Sequence, residues 1–376
     1  MRKNLFVRSI AAVSGIVMLA SLAACGDNPS SAGNNSGSTS TEKITGSFSG
    51  AGATSQQAAE EAWISAYMAA NSGANVTYNP TGSGAGVTTF LSGATAWAGS
   101  DKALSDDEVT QSSDKACANG TTAFDVPVYI SPIAIIFNLK GVSDAGKHIN
   151  LDADTAAKIF DGKIVKWNDP AIANQNKDLT LPDTQITVVH RSDKSGTTQN
   201  FVSYFKDQAP DSWTHELSEN WPDIPGQQSA KGTSGVVTAV KQADGTIGYA
   251  DFSQVGDLGT VAIKVGDKYN EISAEAGSKV IEDSKQDDTV KGDNRIVIKI
   301  NHATEAEGAY PIVLVSYDIV CPAYKDTKQA EFAKAWLTYV TSDEGQKAAQ
   351  DAAGTAPLPS SLKSEITKSI EAIKTK

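Results

Sequence analysis

The chain has 376 residues, is 40% hydrophobic and carries a formal charge of −12 at pH 7. That apolar fraction supports packed cores, and more than 300 residues of ordinary composition favour two domains over one. The acidity and the lack of any basic cluster argue against a nucleic-acid surface.

Residues 1–24 carry Arg2, Lys3 and Arg8, an apolar run from Ile10 to Ala20, and then Leu22-Ala23-Ala24 before Cys25. This pattern is that of a secretory signal, and the run is short for a membrane span. The Leu-Ala-Ala-Cys ending resembles a bacterial lipobox, in which Cys25 is lipidated and becomes the new N-terminus; an ordinary cleaved signal is the plainer alternative. Removing the three basic residues takes the charge to −12 − 3 = −15. Residues 26–45 are mostly Ser, Gly, Asn and Thr, which bury too little to fold. With Cys25 they make a tether reaching about 25 Å by random-coil scaling.

Three loops of small residues then share one plan, each ending a strand and opening a helix. Gly50-Ala51-Gly52-Ala53-Thr54-Ser55 precedes a helix over residues 55–71, where Trp63, Tyr67 and Ala70 recur at i, i+4, i+7. Thr81-Gly82-Ser83-Gly84-Ala85-Gly86 follows a strand at Asn75 to Tyr78 and leads into Val87 to Leu91. His190-Arg191-Ser192-Asp193-Lys194-Ser195-Gly196-Thr197 follows the β-branched Ile186 to Val189 and opens a helix at Thr198 to Phe205. Such turns aim free N–H groups and hydroxyls at one point, at the positive end of a helix dipole, and Arg191 adds a permanent charge. In an α/β fold three of them can converge on one oxyanion at strand carboxyl ends. None ends in Gly-Lys-[Ser/Thr], so none is a Walker loop.

Strand and helix signals alternate through the remainder, which makes the fold class α/β. Strands are expected at residues 122–139, long and interrupted by Pro127 and Pro132, and at 185–190, 246–250, 295–300 and 312–320. Helices are expected at 155–160, 235–242, 328–341 and 361–373, with Phe332, Trp336 and Tyr339 as a core-facing stripe. Two cysteines besides Cys25, namely Cys117 and Cys321, suit either a disulfide in an exported protein or two separate buried thiols.

Gly50 to Thr54, Gly82 to Gly86, Gly99-Ser100-Asp101 with Leu104-Ser105, and Arg191 to Thr197, in that order, resemble the phosphate-binding lipoprotein of the phosphate-specific ABC transporter. Lys158 to Ile172 and Tyr310-Pro311-Ile312 extend the resemblance, which runs from about Gly46 to the C-terminus. It implies a two-lobed periplasmic-binding-protein fold of type II with the ligand in the cleft between lobes. Lobe I would comprise residues 46–137 plus 309–376, and lobe II residues 138–308. Cys117 and Cys321 would share lobe I, which favours the disulfide.

The resemblance also assigns roles. Thr54 would give its hydroxyl and Ser55 its N–H; alone, Thr54 is a good helix cap. Ser55 stands where the family usually has Phe, a change expected to alter packing at the pocket mouth. Ser83 would donate its hydroxyl from the second loop. Arg191 would supply charge and two parallel bonds, oriented by Asp193, with Ser195 donating by hydroxyl, Gly196 by N–H and Thr197 by both. Lys194 would point to solvent, and the loop Lys231 to Gly235 is read as wall rather than site. Asp101 carries the most information, because a carboxylate beside an anion repels it unless the ligand brings a proton to share. Phosphate keeps such a proton near neutral pH and sulfate does not.

No His-x-x-x-His, phosphatase-like Cys–Arg spacing or Gly-x-Ser-x-Gly elbow is present, and His190 at a strand end reads as a packed histidine. The expectation is therefore a non-catalytic receptor without cofactor or metal, a monomer anchored by lipid on Cys25 to the outer face of the cell membrane. It would bind inorganic phosphate and deliver it to the membrane permease subunits of an ABC transporter. A receptor for sulfate, or an extracytoplasmic phosphatase or phosphate-regulated adhesin using the same cradle, are the alternatives.

Overall fold

The computed structural model describes residues 44–143 and 147–375. The signal at 1–24, Cys25 and nearly all of the tether lie outside the described residues. No helix among the described residues is long and apolar enough to cross a membrane.

Three β-α units open the fold: β1 (Gly46–Gly52) to α1 (Gln57–Ala70), β2 (Ala74–Pro80) to α2 (Ser83–Leu91), and β3 (Trp97–Ser100) to α3 (Asp106–Lys115). β2, β1 and β3 pair in parallel, so the loops after all three emerge at one edge. α3 starts in a capping box, with Ser105 accepting from Glu108 N–H and Glu108 reaching back to Ser105.

The long strand β4 (Phe124–Asn138) joins two halves of the sheet. Its residues 124–132 pair antiparallel with β13 (Val313–Val320), which also flanks β3. Residues 133–138 pair with β8 (Thr246–Asp251) instead. The prolines do not interrupt it: Tyr317 faces Pro127 and Ser316 faces Tyr129, so a bulge at Val128 absorbs the irregularity. Between these strands come β5 (Ile149–Leu151), α4 (Ala153–Phe160), α5 (Pro170–Ala173), β6 (Thr187–Arg191), α6 (Gly196–Gln208), β7 (Gln228–Ala230) and α7 (Gly232–Gln242). β6 runs parallel to β8 and β7, so its loop and the one after β7 also leave side by side.

β9 (Gly259–Val265) pairs with β4, β5 and β10 (Lys268–Asn270), and α8 (Ala274–Glu282) packs near β4. The strand expected at 295–300 shrinks to β12 (Ile298–Lys299), paired with β11 (Lys285–Gln286), because Arg295 is drawn elsewhere. Its guanidinium donates to Asp125 at 2.6 Å and to the Leu104 carbonyl at 2.6 Å. That buried pair pins the segment just after Asp101.

The chain closes with α9 (Thr327–Val340), α10 (Asp343–Ala353) and α11 (Lys363–Glu371). Phe332 stacks on Phe48 at 4.2 Å, and Trp336 meets Trp63, Tyr67 and Trp97, so the aromatic stripe is core as its spacing implies. Cys117 and Cys321 form a disulfide with Cα atoms 5.3 Å apart.

Candidate functional site

Asp101, at the end of β3, is the hub. Its carboxylate accepts Ser55 Oγ on both oxygens at 2.7 Å, Thr197 Oγ1 at 2.7 Å and Ser316 Oγ at 2.7 Å. Thus the loop after β1, the end of β3, strand β13 and helix α6 meet on one side chain that is 2% exposed. Burial pushes its carboxyl up, and the three hydroxyls and the Arg191 charge oppose that rise.

Ser83, the first residue of α2, faces the same point. Its Oγ accepts the N–H groups of Asp101 at 3.3 Å and Gly196 at 3.1 Å. With both lone pairs occupied, its hydrogen is left to donate elsewhere. Gly82 makes this approach possible: at φ +97 a Cβ there would meet Asp193 Oδ2 at 2.5 Å and the Lys194 carbonyl at 2.9 Å. Ser195 caps α6 by accepting from Thr198 N–H at 3.1 Å. Asn200 holds α6 to the first half by donating to the Asp101 carbonyl at 2.6 Å.

Arg191, 3% exposed, donates Nε to Asp193 Oδ1 at 2.8 Å and Nη2 to Oδ2 at 2.6 Å. Gly232 N–H adds a bond to Asp193 Oδ1 at 3.0 Å, fixing the carboxylate that fixes the guanidinium. Burial opposes ionisation of Asp193, but Arg191 outweighs it and holds the carboxyl below its usual range. Two of the five guanidinium N–H groups are thereby used, and among the described residues the other three donate to no side chain or carbonyl.

The eight residues singled out by sequence cluster at these loop ends, with differences in what they do. Ser55, expected to reshape the pocket mouth, is fully buried and turns its hydroxyl onto Asp101. Gly196 N–H, expected to face the anion, donates to Ser83. Thr54 Oγ1 accepts from Thr233 N–H at 3.1 Å and pairs with Thr233 Oγ1 at 2.9 Å. The segment Lys231 to Gly235, read as wall rather than site, meets Thr54 through Thr233. Lys194 is exposed, as expected.

Two residues that sequence reasoning passed over stand behind Asp101. Gln56 Nε2 donates to Ser316 Oγ at 2.8 Å and to the Tyr317 carbonyl at 3.2 Å. Ser316 and Asp318 interrupt an otherwise apolar strand two residues apart, which puts them on one face and is a signal that could have been read. Deeper still, Asp318 accepts from Trp336 Nε1 at 3.1 Å and Glu60 from Trp97 Nε1 at 3.2 Å. Burial, with Asp318 next, pushes Glu60 well up, and burial takes Asp318 to about 7. Asp251, at the end of β8, is likewise raised by burial to about 7.

His190 stacks on Trp221 at 5.4 Å and bonds the Arg191 carbonyl through Nδ1, so it is a packed residue. Among the described residues no group of three His, Cys, Asp or Glu side chains could hold a metal ion.

A family model described as a PBP superfamily domain matches residues 37–344. Phosphate-binding protein PstS2 of Mycobacterium bovis is 36% identical, with 98% of this chain and 99% of the relative covered. Phosphate-binding protein PstS 3 of Mycobacterium tuberculosis is 33% identical, with 94% and 95% covered. Among solved structures, a high-affinity periplasmic phosphate-binding protein, PfluDING, bound with phosphate, superposes with a TM-score of 0.69 at 22% identity over 86% of this chain and 93% of that one. A phosphate-binding protein from Stenotrophomonas maltophilia gives 0.66 at 20% identity over 86% and 93%. The structural likenesses establish the two-lobed α/β fold.

Proposed function

The chain belongs to the PBP superfamily and, within it, to the phosphate-binding proteins, and on that premise we propose that it captures inorganic phosphate between its lobes and delivers it to an ABC permease. The observation that carries the reading is Asp101: a buried carboxylate ringed by hydroxyls and placed beside the partly free guanidinium of Arg191. Arg191, the Ser83, Ser195 and Thr54 hydroxyls and the loop N–H groups supply donors to three phosphate oxygens. Asp101 accepts the proton on the fourth. Sulfate offers no proton there, and sites built around one such bond discriminate by about 10⁴-fold or more.

The proposal keeps the lobes at residues 46–137 plus 309–376 and 138–308, with Ser83–Gly196, Asp101–Thr197 and Thr54–Thr233 as the contacts that hold them together around the ligand. It also keeps the mature protein outside the cytoplasm, a non-catalytic monomer anchored through lipid on Cys25. The test is calorimetric titration of anion-stripped protein with phosphate and with sulfate. One-site phosphate binding that sulfate does not displace is expected. Absence of binding by either anion would refute the reading, and equal binding of both would make the site a general oxyanion receptor.

A further inference from the structure

The Asp101 carboxylate is held from behind by a relay whose hydrogen-bond directions can be deduced. The Tyr317 carbonyl can only accept, so the amide end of Gln56 that meets it is the NH₂ end. The same NH₂ then donates to Ser316 Oγ at 2.8 Å, and Tyr78 OH, whose one hydrogen is shared between the Ala53 carbonyl at 3.0 Å and Gln56 Oε1 at 3.3 Å, stands on the other side of the amide. Ser316 has one hydrogen, and among the described residues the acceptor it meets is Asp101 Oδ1 at 2.7 Å. Oδ1 accepts from Ser316 and Ser55 and Oδ2 from Thr197 and Ser55, so a proton on either oxygen would meet a hydroxyl hydrogen already there and leave a weaker acceptor than the carboxylate.

We propose that Ser316, oriented by Gln56, is a specificity-determining residue of the anion site: it keeps Asp101 as an acceptor, so that the site favours an oxyanion carrying a proton. The inference rests on the phosphate reading for its ligand, though the orientation of Asp101 does not. Ser316 touches no reacting or ligand atom in this role; it acts through Asp101.

Burial pushes Asp101 toward protonation, and the groups facing it divide. Arg191 favours the ionised form, while Asp251, Glu219, Tyr78 and Tyr129 lie close enough for their ionised forms to oppose it. Asp318 and Glu60 stand beyond Gln56. Against that balance, the Ser316 bond has no substitute on Oδ1 except the hydroxyl that Ser55 shares with Oδ2.

The test compares wild type, Ser316→Ala and Ser316→Thr by two measurements. The first follows the ¹³C shift of the Asp101 carboxyl against pH without ligand. The midpoint should rise by about one unit or more in Ser316→Ala, the size expected for loss of a bond to the charged form, and return in Ser316→Thr. The second titrates phosphate and sulfate from pH 5 to pH 8. The sulfate-to-phosphate affinity ratio should rise about tenfold at low pH in Ser316→Ala only, since a protonated Asp101 donates to sulfate. An unchanged midpoint, or a phosphate affinity lowered equally at every pH, overturns the role of Ser316. A midpoint that shifts in Ser316→Ala, alongside a wild type that binds neither anion, would sink the phosphate reading and leave Ser316 as the residue that sets Asp101. Gln56→Met should move the midpoint the same way by less, and no movement there would remove Gln56 from the relay.

Discussion

Ser83 Oγ accepts the N–H of Gly196 at 3.1 Å across 113 residues of sequence, joining the loop after β2 to the first turn of α6. The contact depends on Gly82, where a Cβ would strike Asp193 and the Lys194 carbonyl. Gly82→Ala should therefore force the facing loops apart. Phosphate affinity, read by calorimetry, should fall more than tenfold, while urea melts lose only about 1–3 kcal/mol for a strained backbone. Full affinity in the variant would show that the two loops need not meet.

Asp193 orients Arg191 through two bonds. Asp193→Asn keeps an acceptor for Gly232 N–H but removes the charge and one of the parallel bonds. Phosphate affinity should drop about 10- to 100-fold, the size expected for losing a hydrogen bond to a charged group. Arg191→Lys should cost more, because an ammonium cannot bond in two parallel directions. Titration of both variants checks the order.

The buried carboxyls of Asp318 and Glu60 work against stability at neutral pH. Asp318 is raised to about 7, above its unfolded value, so the folded state holds its proton where the unfolded state has lost it. Stability from this group is then highest below the unfolded pKa and declines as pH rises toward about 7. Asp318→Asn keeps an acceptor for Trp336 Nε1 and should raise stability at pH 8 by about 1 kcal/mol or more, roughly 2–4 °C in Tm. At pH 4 the gain should vanish. Thermal melts at the two pH values decide it.

The Cys117–Cys321 bond closes a loop with a sequence separation of 204. Reduction, or Cys117→Ala with Cys321→Ala, should lower stability by about 3–5 kcal/mol on loop-closure grounds. Phosphate affinity should be nearly unchanged, since both cysteines pack in a cluster with Val87, Phe90 and Ile319 and not at the site. Melts with and without reductant, alongside titration, test both halves.

Much of this protein was legible in sequence because its information is local. A glycine-rich turn between a strand and a helix specifies its own backbone, so the loops at Thr54, Ser83 and Ser195 could be read residue by residue, as could the aromatic stripe of α9. Strand β4 was legible in extent but not in continuity, since the bulge that carries it past Pro127 belongs to its pairing with β13. Which atoms meet was another matter. That Ser55 bonds Asp101 rather than lining a mouth, that Thr233 reaches Thr54, and that Ser316 and Gln56 stand behind the carboxylate all depend on strands 46 to 320 being laid side by side. Hydrogen bonds between residues tens to hundreds of positions apart leave no spacing in the chain, so the chemistry of the donors was written in the sequence, and their direction was decided by the tertiary fold.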